Sequence, residues 1–93
     1  MTMRRNFDDP GYKKWRIDVY KRDRFQCQWP GCSAKSKLNA HHIKRWADCP
    51  SLRYNVDNGI TLCRAHHKMI HGNEEIYEAV FRKIVASKKH DNK

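Results

Sequence analysis

No stretch of about 18 apolar residues occurs in this chain, so no transmembrane helix is expected. Nor does any segment carry a long apolar face with Trp or Leu anchors, which argues against a membrane-surface role. The opening residues Met1-Thr2-Met3-Arg4-Arg5-Asn6 lead to no apolar run; no export signal is expected, and the chain reads as cytoplasmic. Apolar residues are scarce throughout, at 39% of 93. So polar a chain of this length is expected to bury only a thin core and to need a metal or disulfide staple. Acidic residues are also short, with 10 Asp and Glu against 20 Lys and Arg for a formal charge of +10. A surplus of that size in so small a chain predicts attraction to polyanions. There is no internal repeat and no domain boundary. One domain is expected over residues 11–86, with a flexible basic arm at 1–10 and a disordered tail at 87–93.

Four cysteines could form two disulfides in a secreted protein. Without an export signal, and with histidines at ligand spacing, zinc thiolates are the favoured reading. Cys27-x4-Cys32 and Cys63-x2-His66 form two ligand pairs of the kind that build closed tetrahedral zinc sites. Between the first two cysteines, Pro30-Gly31 favours a tight turn that brings both sulfurs to one point. Cys49, in a loop beside Pro50, is the alternative fourth ligand to His66.

The apolar residues Tyr12, Trp15 and Val19 fall at helical spacing and predict a basic amphipathic helix over about 12–24. Pro10-Gly11 reads as a break before it. Residues 38–43 and 60–63 read as short strands. The stretch 44–58 between them is long and irregular, a loop length that usually carries function. Residues 64–71 read as a helix stopped by Gly72. A last helix is expected over about 74–86, capped by Asn73, with Ile76, Val80, Phe81 and Ile84 as its apolar stripe.

Five of the six histidines fall in two clusters, His41-His42 and His66, His67, His71. Neighbours on a helix point about 100° apart, whereas residues four apart share a face. This gives His66 to the cysteine site and leaves His67 and His71 together on another face. On a strand, His41 and His42 diverge. One can bind a metal ion while the other acts as a base, and the spacing does not say which. An imidazole base must be neutral to take a proton from water. With an ordinary pKa of about 6.5, activity is expected to rise through about pH 6–8.

The runs Leu38-Asn-Ala-His41-His42-Ile43 and Asp57-Asn58-Gly-Ile-Thr-Leu-Cys63-Arg-Ala-His66-His67-Lys-Met-Ile-His71-Gly72 resemble the HNH endonuclease family over roughly residues 24–72. Phage-encoded and restriction-type members are the most similar, and the distal His-x-x-x-His is similar to that of the colicin nucleases. The resemblance implies an α+β fold of the ββα-metal type with a structural zinc site and flanking helices. It implies that His41 is a metal ligand, His42 the general base, and Asn58 a residue that steadies the loop and orients the base. His67 would be the second ligand and His71 a third. Close relatives carry cysteine where His66 stands, though histidine ligates zinc equally well. Many carry aspartate where His41 stands.

The implied activity is metal-dependent DNA hydrolysis, nicking one strand per monomer to leave a 5′ phosphate and a 3′ hydroxyl. The cofactors would be a structural Zn²⁺ and a catalytic divalent ion. Imidazole ligands suit Mn²⁺, Ni²⁺ or Zn²⁺ better than Mg²⁺. Lys44, Arg45, Arg64 and Lys68 are the candidate DNA phosphate contacts. The expected partner is DNA, and the phage resemblance makes a packaging (terminase) protein a further one; the chain is expected to be a monomer. Two alternatives stand beside this reading: a zinc-stabilised nucleic-acid-binding module without catalysis, and an RNA nuclease using the same site.

Overall fold

Asp9 opens the first helix. Its carboxylate accepts the N–H of Tyr12 at 3.1 Å and the hydroxyl of Tyr54, and Pro10 occupies the first helical turn, where its missing N–H costs nothing. The Pro10-Gly11 pair, read from sequence as a break, is instead this helix start. In the computed structural model, which describes residues 9–44 and 50–91, α1 spans Pro10–Arg22 and buries Tyr12, Trp15 and Val19. Lys21 and Arg22 in its last turn suit the negative end of the helix dipole. The chain then turns out through Arg24 and Phe25, both at positive φ (59° and 53°).

Strands β1 (Leu38–His42) and β2 (Gly59–Cys63) form a two-stranded antiparallel sheet. Leu38 pairs with Cys63, His41 with Ile60 and His42 with Gly59. Two short 3-10 turns, Pro50–Leu52 and Val56–Asn58, lie in the connection. Helix α2 (Arg64–Ile70) follows β2 without a break, and α3 (Glu74–Asp91) closes the chain. This is the small α+β arrangement expected of a ββα-metal domain. Helix α3 runs five residues past the Ala86 end that its apolar stripe predicts.

Two apolar clusters flank the sheet. Ile60 and Leu62 join Cys27, Ile43, Cys63, Ile70, Phe81 and Val85 in one. Tyr12, Trp15 and Val19, with Ala40 packed on them, form the other. Strand alternation sorts the side chains between the two. His41 turns towards Phe81 of α3, with ring centroids 5.6 Å apart, and its neighbour His42 turns towards Trp15 of α1. The buried face of α3 carries Phe81 and Val85, with Tyr77 and Ile84 packed beside them. Ile76 and Val80, expected in that stripe, are exposed at 70% and 45%. Apolar residues occupy more than one face of this helix, and contact with the Cys27 cluster selects the face that is buried.

The buried Asp23 ties α1 to the sheet. It takes two charge-assisted bonds from Arg22, both at 2.8 Å, and accepts the Thr61 N–H of β2 at 2.9 Å. Arg22 also donates to the carbonyls of Val56 and Gly59 at 2.8 and 2.6 Å. A buried charge pair persists only when its remaining hydrogen-bonding capacity is met in this way.

Gly59 lets α1 lie close against β2. A Cβ at this position would stand 2.5 Å from Val19 Cγ2 and 2.7 Å from Trp15 Cζ2. Gly59→Ala is therefore expected to destabilise the fold by about 1–3 kcal/mol through overpacking, read as a lower urea midpoint with an unchanged m-value.

Candidate active site and metal centre

The zinc-type cluster forms where two turns meet. Cys32 N–H donates to the Trp29 carbonyl at 2.8 Å, Cys27 N–H donates to Ala34 at 2.8 Å, and Gly31 takes φ +83°. This closes the first loop on itself. Cys63 ends β2, and His66 stands one turn into α2. The donor atoms of Cys27, Cys32, Cys63 and His66 all lie within 4.8 Å of one another. With Zn–S near 2.3 Å and Zn–N near 2.0–2.1 Å, ligands on one tetrahedral ion should stand about 3.5–3.8 Å apart. His66 Nδ1 lies 3.6 Å from Cys27 Sγ and 3.3 Å from Cys63 Sγ, so these four residues could hold a structural zinc. Trp29 stacks on the His66 ring at 4.8 Å and 8° and also packs against Tyr77 and Phe81. It orients the ligand and joins the cluster to the core. Cys49 lies outside the described residues.

Burial pushes the Cys27 thiol up to about 11. The Cys63 thiol is lowered instead, mainly by the backbone N–H of His66.

The second histidine group is drawn together across the sheet. His41, on β1, meets His67, on α2, with ring centroids 5.5 Å apart at 67°. Two imidazoles on one tetrahedral ion would have centroids about 5 Å apart, given Zn–N near 2.0–2.1 Å. The centroid spacing of the pair is close to that value. His71 does not complete a group of three. Helix α2 ends at Ile70, and His71 is its C-cap with φ −58° and ψ 126°, so it follows the last helical residue while lining the same cleft as His67. Its side chain is 82% exposed, with Nδ1 3.9 Å from Glu74. Among the described residues, the cysteine cluster is the one group of three or more His, Cys, Asp or Glu donors at metal-binding distance.

The Glu74 carboxyl is a group that sequence reasoning missed. Burial would raise its pKa, but the backbone N–H groups of Glu74 and Gly72 and the charges of His71 and His41 hold it below the usual carboxylate range.

His42 is 4% exposed and held on two sides. Trp15 lies flat on its ring, with centroids 3.8 Å apart and planes 9° from parallel. Its Nε2 is 2.8 Å from the Arg53 carbonyl oxygen. A carbonyl can only accept, so Nε2 carries the proton and, in the neutral ring, Nδ1 carries the lone pair.

Asn58 braces the loop that supplies this carbonyl. Its Oδ1 accepts the Lys44 N–H at 2.7 Å, and its Nδ2 donates to the Lys44 and Leu52 carbonyls at 3.1 and 3.2 Å. The side chain thus ties the end of β1 to the residue before Arg53.

Of the predicted phosphate contacts, Arg64 and Lys68 line a cleft of about 750 Å³ together with His67 and His71. Lys37 and Asn39 complete its rim. Sequence reasoning missed Lys37. Only the strand register, in which Leu38 pairs with Cys63 and Arg64 N–H donates to the Lys37 carbonyl at 2.9 Å, brings it beside Arg64. Lys44 forms an ion pair with Glu78 at 3.1 Å, and Glu78 also binds Arg82. Arg45 lies outside the described residues.

Comparison with known families places this architecture. A family model described as HNH endonuclease matches residues 26–72, just over half of the chain. No curated protein and no solved structure matches.

Thiolate ligands must lose their protons to bind a metal ion, so binding at the cysteine cluster is expected to release protons and to strengthen as pH rises. Competition with a chromogenic zinc chelator at pH 6 and pH 8 should show tighter retention at the higher pH. Cys63→Ser should lose the tightly held ion and the thermal stability that comes with it.

Proposed function

The chain belongs to the HNH endonuclease family, and from that membership we propose that it is a metal-dependent DNA endonuclease that nicks one strand per monomer. It cleaves by hydrolysis, leaving a 5′ phosphate and a 3′ hydroxyl. The observation that carries this reading is the approach of His41 to His67 at 5.5 Å, next in sequence to a histidine whose tautomer is set by a backbone carbonyl.

His41 and His67 would hold a divalent cation, which would supply positive charge to the phosphate as negative charge develops on it. His42 is the general base. Its Nδ1 accepts a proton from the water whose oxygen attacks phosphorus in line with the 3′ oxygen. Asn58 keeps the Arg53 carbonyl in place and so orients the base. His71, which lines the same cleft as His67, would be a third ligand. Lys37, Arg64 and Lys68 grip the phosphates that flank the scissile one. The surplus of basic residues draws the domain to the polyanion.

Nicking of supercoiled plasmid with Mn²⁺ or Ni²⁺ tests the mechanism. His42→Ala is expected to lose about 10²–10⁴ in rate, and His41→Ala and His67→Ala should lose the metal-dependent activity. Equal nicking by wild type and His42→Ala would remove His42 as the base. DNA binding by wild type without cleavage would mark a zinc-stabilised binding module, and preferential cleavage of structured RNA would mark an RNA nuclease.

The phosphate contacts are tested by titration. Each of Lys37→Ala, Arg64→Ala and Lys68→Ala is expected to weaken binding to all sequences alike, and to reduce the slope of log affinity against log salt by about one.

A further inference from the structure

The family match begins at residue 26, so α1 lies wholly outside it. Yet, among the described residues, α1 supplies the side chain most closely stacked on His42. The Trp15 indole covers the imidazole at 3.8 Å and 9° and is itself 1% exposed. Its Nε1–H donates to the Asn55 carbonyl at 2.9 Å, in the same segment whose Arg53 carbonyl accepts from His42. One ring therefore holds both the base and the loop that sets the base's tautomer. Gly59, paired with His42 across the sheet, leaves the space this ring occupies. Tyr12 stacks at a greater distance, 6.4 Å.

A histidine acting as a base has to present the correct nitrogen. Turning the ring over would exchange the nitrogens and aim a protonated one at the water. The flat indole opposes that rotation, and the carbonyl rewards a single orientation. We propose that Trp15 is a positioning residue for phosphodiester cleavage: its indole holds His42 in the rotamer that bonds Nε2 to Arg53 and leaves Nδ1, buried in this structure, as the nitrogen that takes the proton. This rests on the reading of His42 as the general base.

The test compares Trp15→Leu, Trp15→Phe, Val19→Ala and His42→Ala in steady-state cleavage of a DNA duplex with Mn²⁺, with rates normalised to the folded fraction measured by circular dichroism. Val19 is fully buried on the same helix and packs in the same cluster, so its truncation reports lost stability alone. Trp15→Leu is expected to lower kcat by about ten- to a hundredfold with KM within about twofold of wild type. Trp15→Phe, which keeps a flat ring, should recover most of that loss, and Val19→Ala should keep its kcat.

Equal loss in Trp15→Leu and Val19→Ala, or a loss carried by KM, overturns the proposal. So does a wild-type kcat in Trp15→Leu while His42→Ala is inactive, an outcome that leaves the general-base reading standing. Full activity in His42→Ala overturns both. Nitrogen NMR of the wild-type imidazole at a pH where it is neutral gives a readout that needs neither cleavage nor a folded variant. The Nε2–H form of His42 is expected, and the Nδ1–H form overturns the proposal.

Discussion

Side chains alternate across a β-strand, and the surroundings of two adjacent histidines in this domain depend on that alternation. His41 and His42 share a peptide bond yet face different neighbours, α3 and α2 on one side and α1 on the other. The antiparallel register that opposes them to Ile60 and Gly59 gives each its surroundings. A slip of one residue would exchange the two faces. The imidazole placed against His67 would then be pressed against Trp15, and the stacked one moved to the His67 side.

Most of the remaining structure holds that register. The Arg22–Asp23 pair clamps α1 to β2 through Thr61, Val56 and Gly59, and Asn58 clamps the end of β1 to the loop. The cysteine cluster joins the turn at Cys27–Cys32 to the junction of β2 and α2. With an ion bound, it would fasten the start of α2, and with it His67, to the sheet. In a chain with so small a core, polar clamps and metal ligands carry the precision that apolar packing supplies in larger proteins.

The local parts of the site were legible because they follow from short-range geometry. Two cysteines around a Pro-Gly turn converge, and adjacent helical histidines diverge; those two rules alone assigned His66 to the sulfurs and His67 to a different partner. The less legible parts involve contacts between distant segments or the ends of elements. His71 falls just outside the helix that the sequence pattern extends to it, because α2 stops one residue before it. Lys44 was drawn into an ion pair by Glu78, 34 positions along the chain. The buried face of α3 was chosen by its neighbours rather than by its own pattern of apolar residues.

Ligand types, the helix and strand periods, the basic charge and the family motif belong to the sequence alone, because each is a property of one residue or of a few adjacent ones. Tertiary structure decided which imidazole met which, which cation kept its charge exposed, and which ring pressed on His42. Those outcomes depend on strand register and helix packing, which bring together groups far apart in the chain, and no local pattern encodes the distance between them.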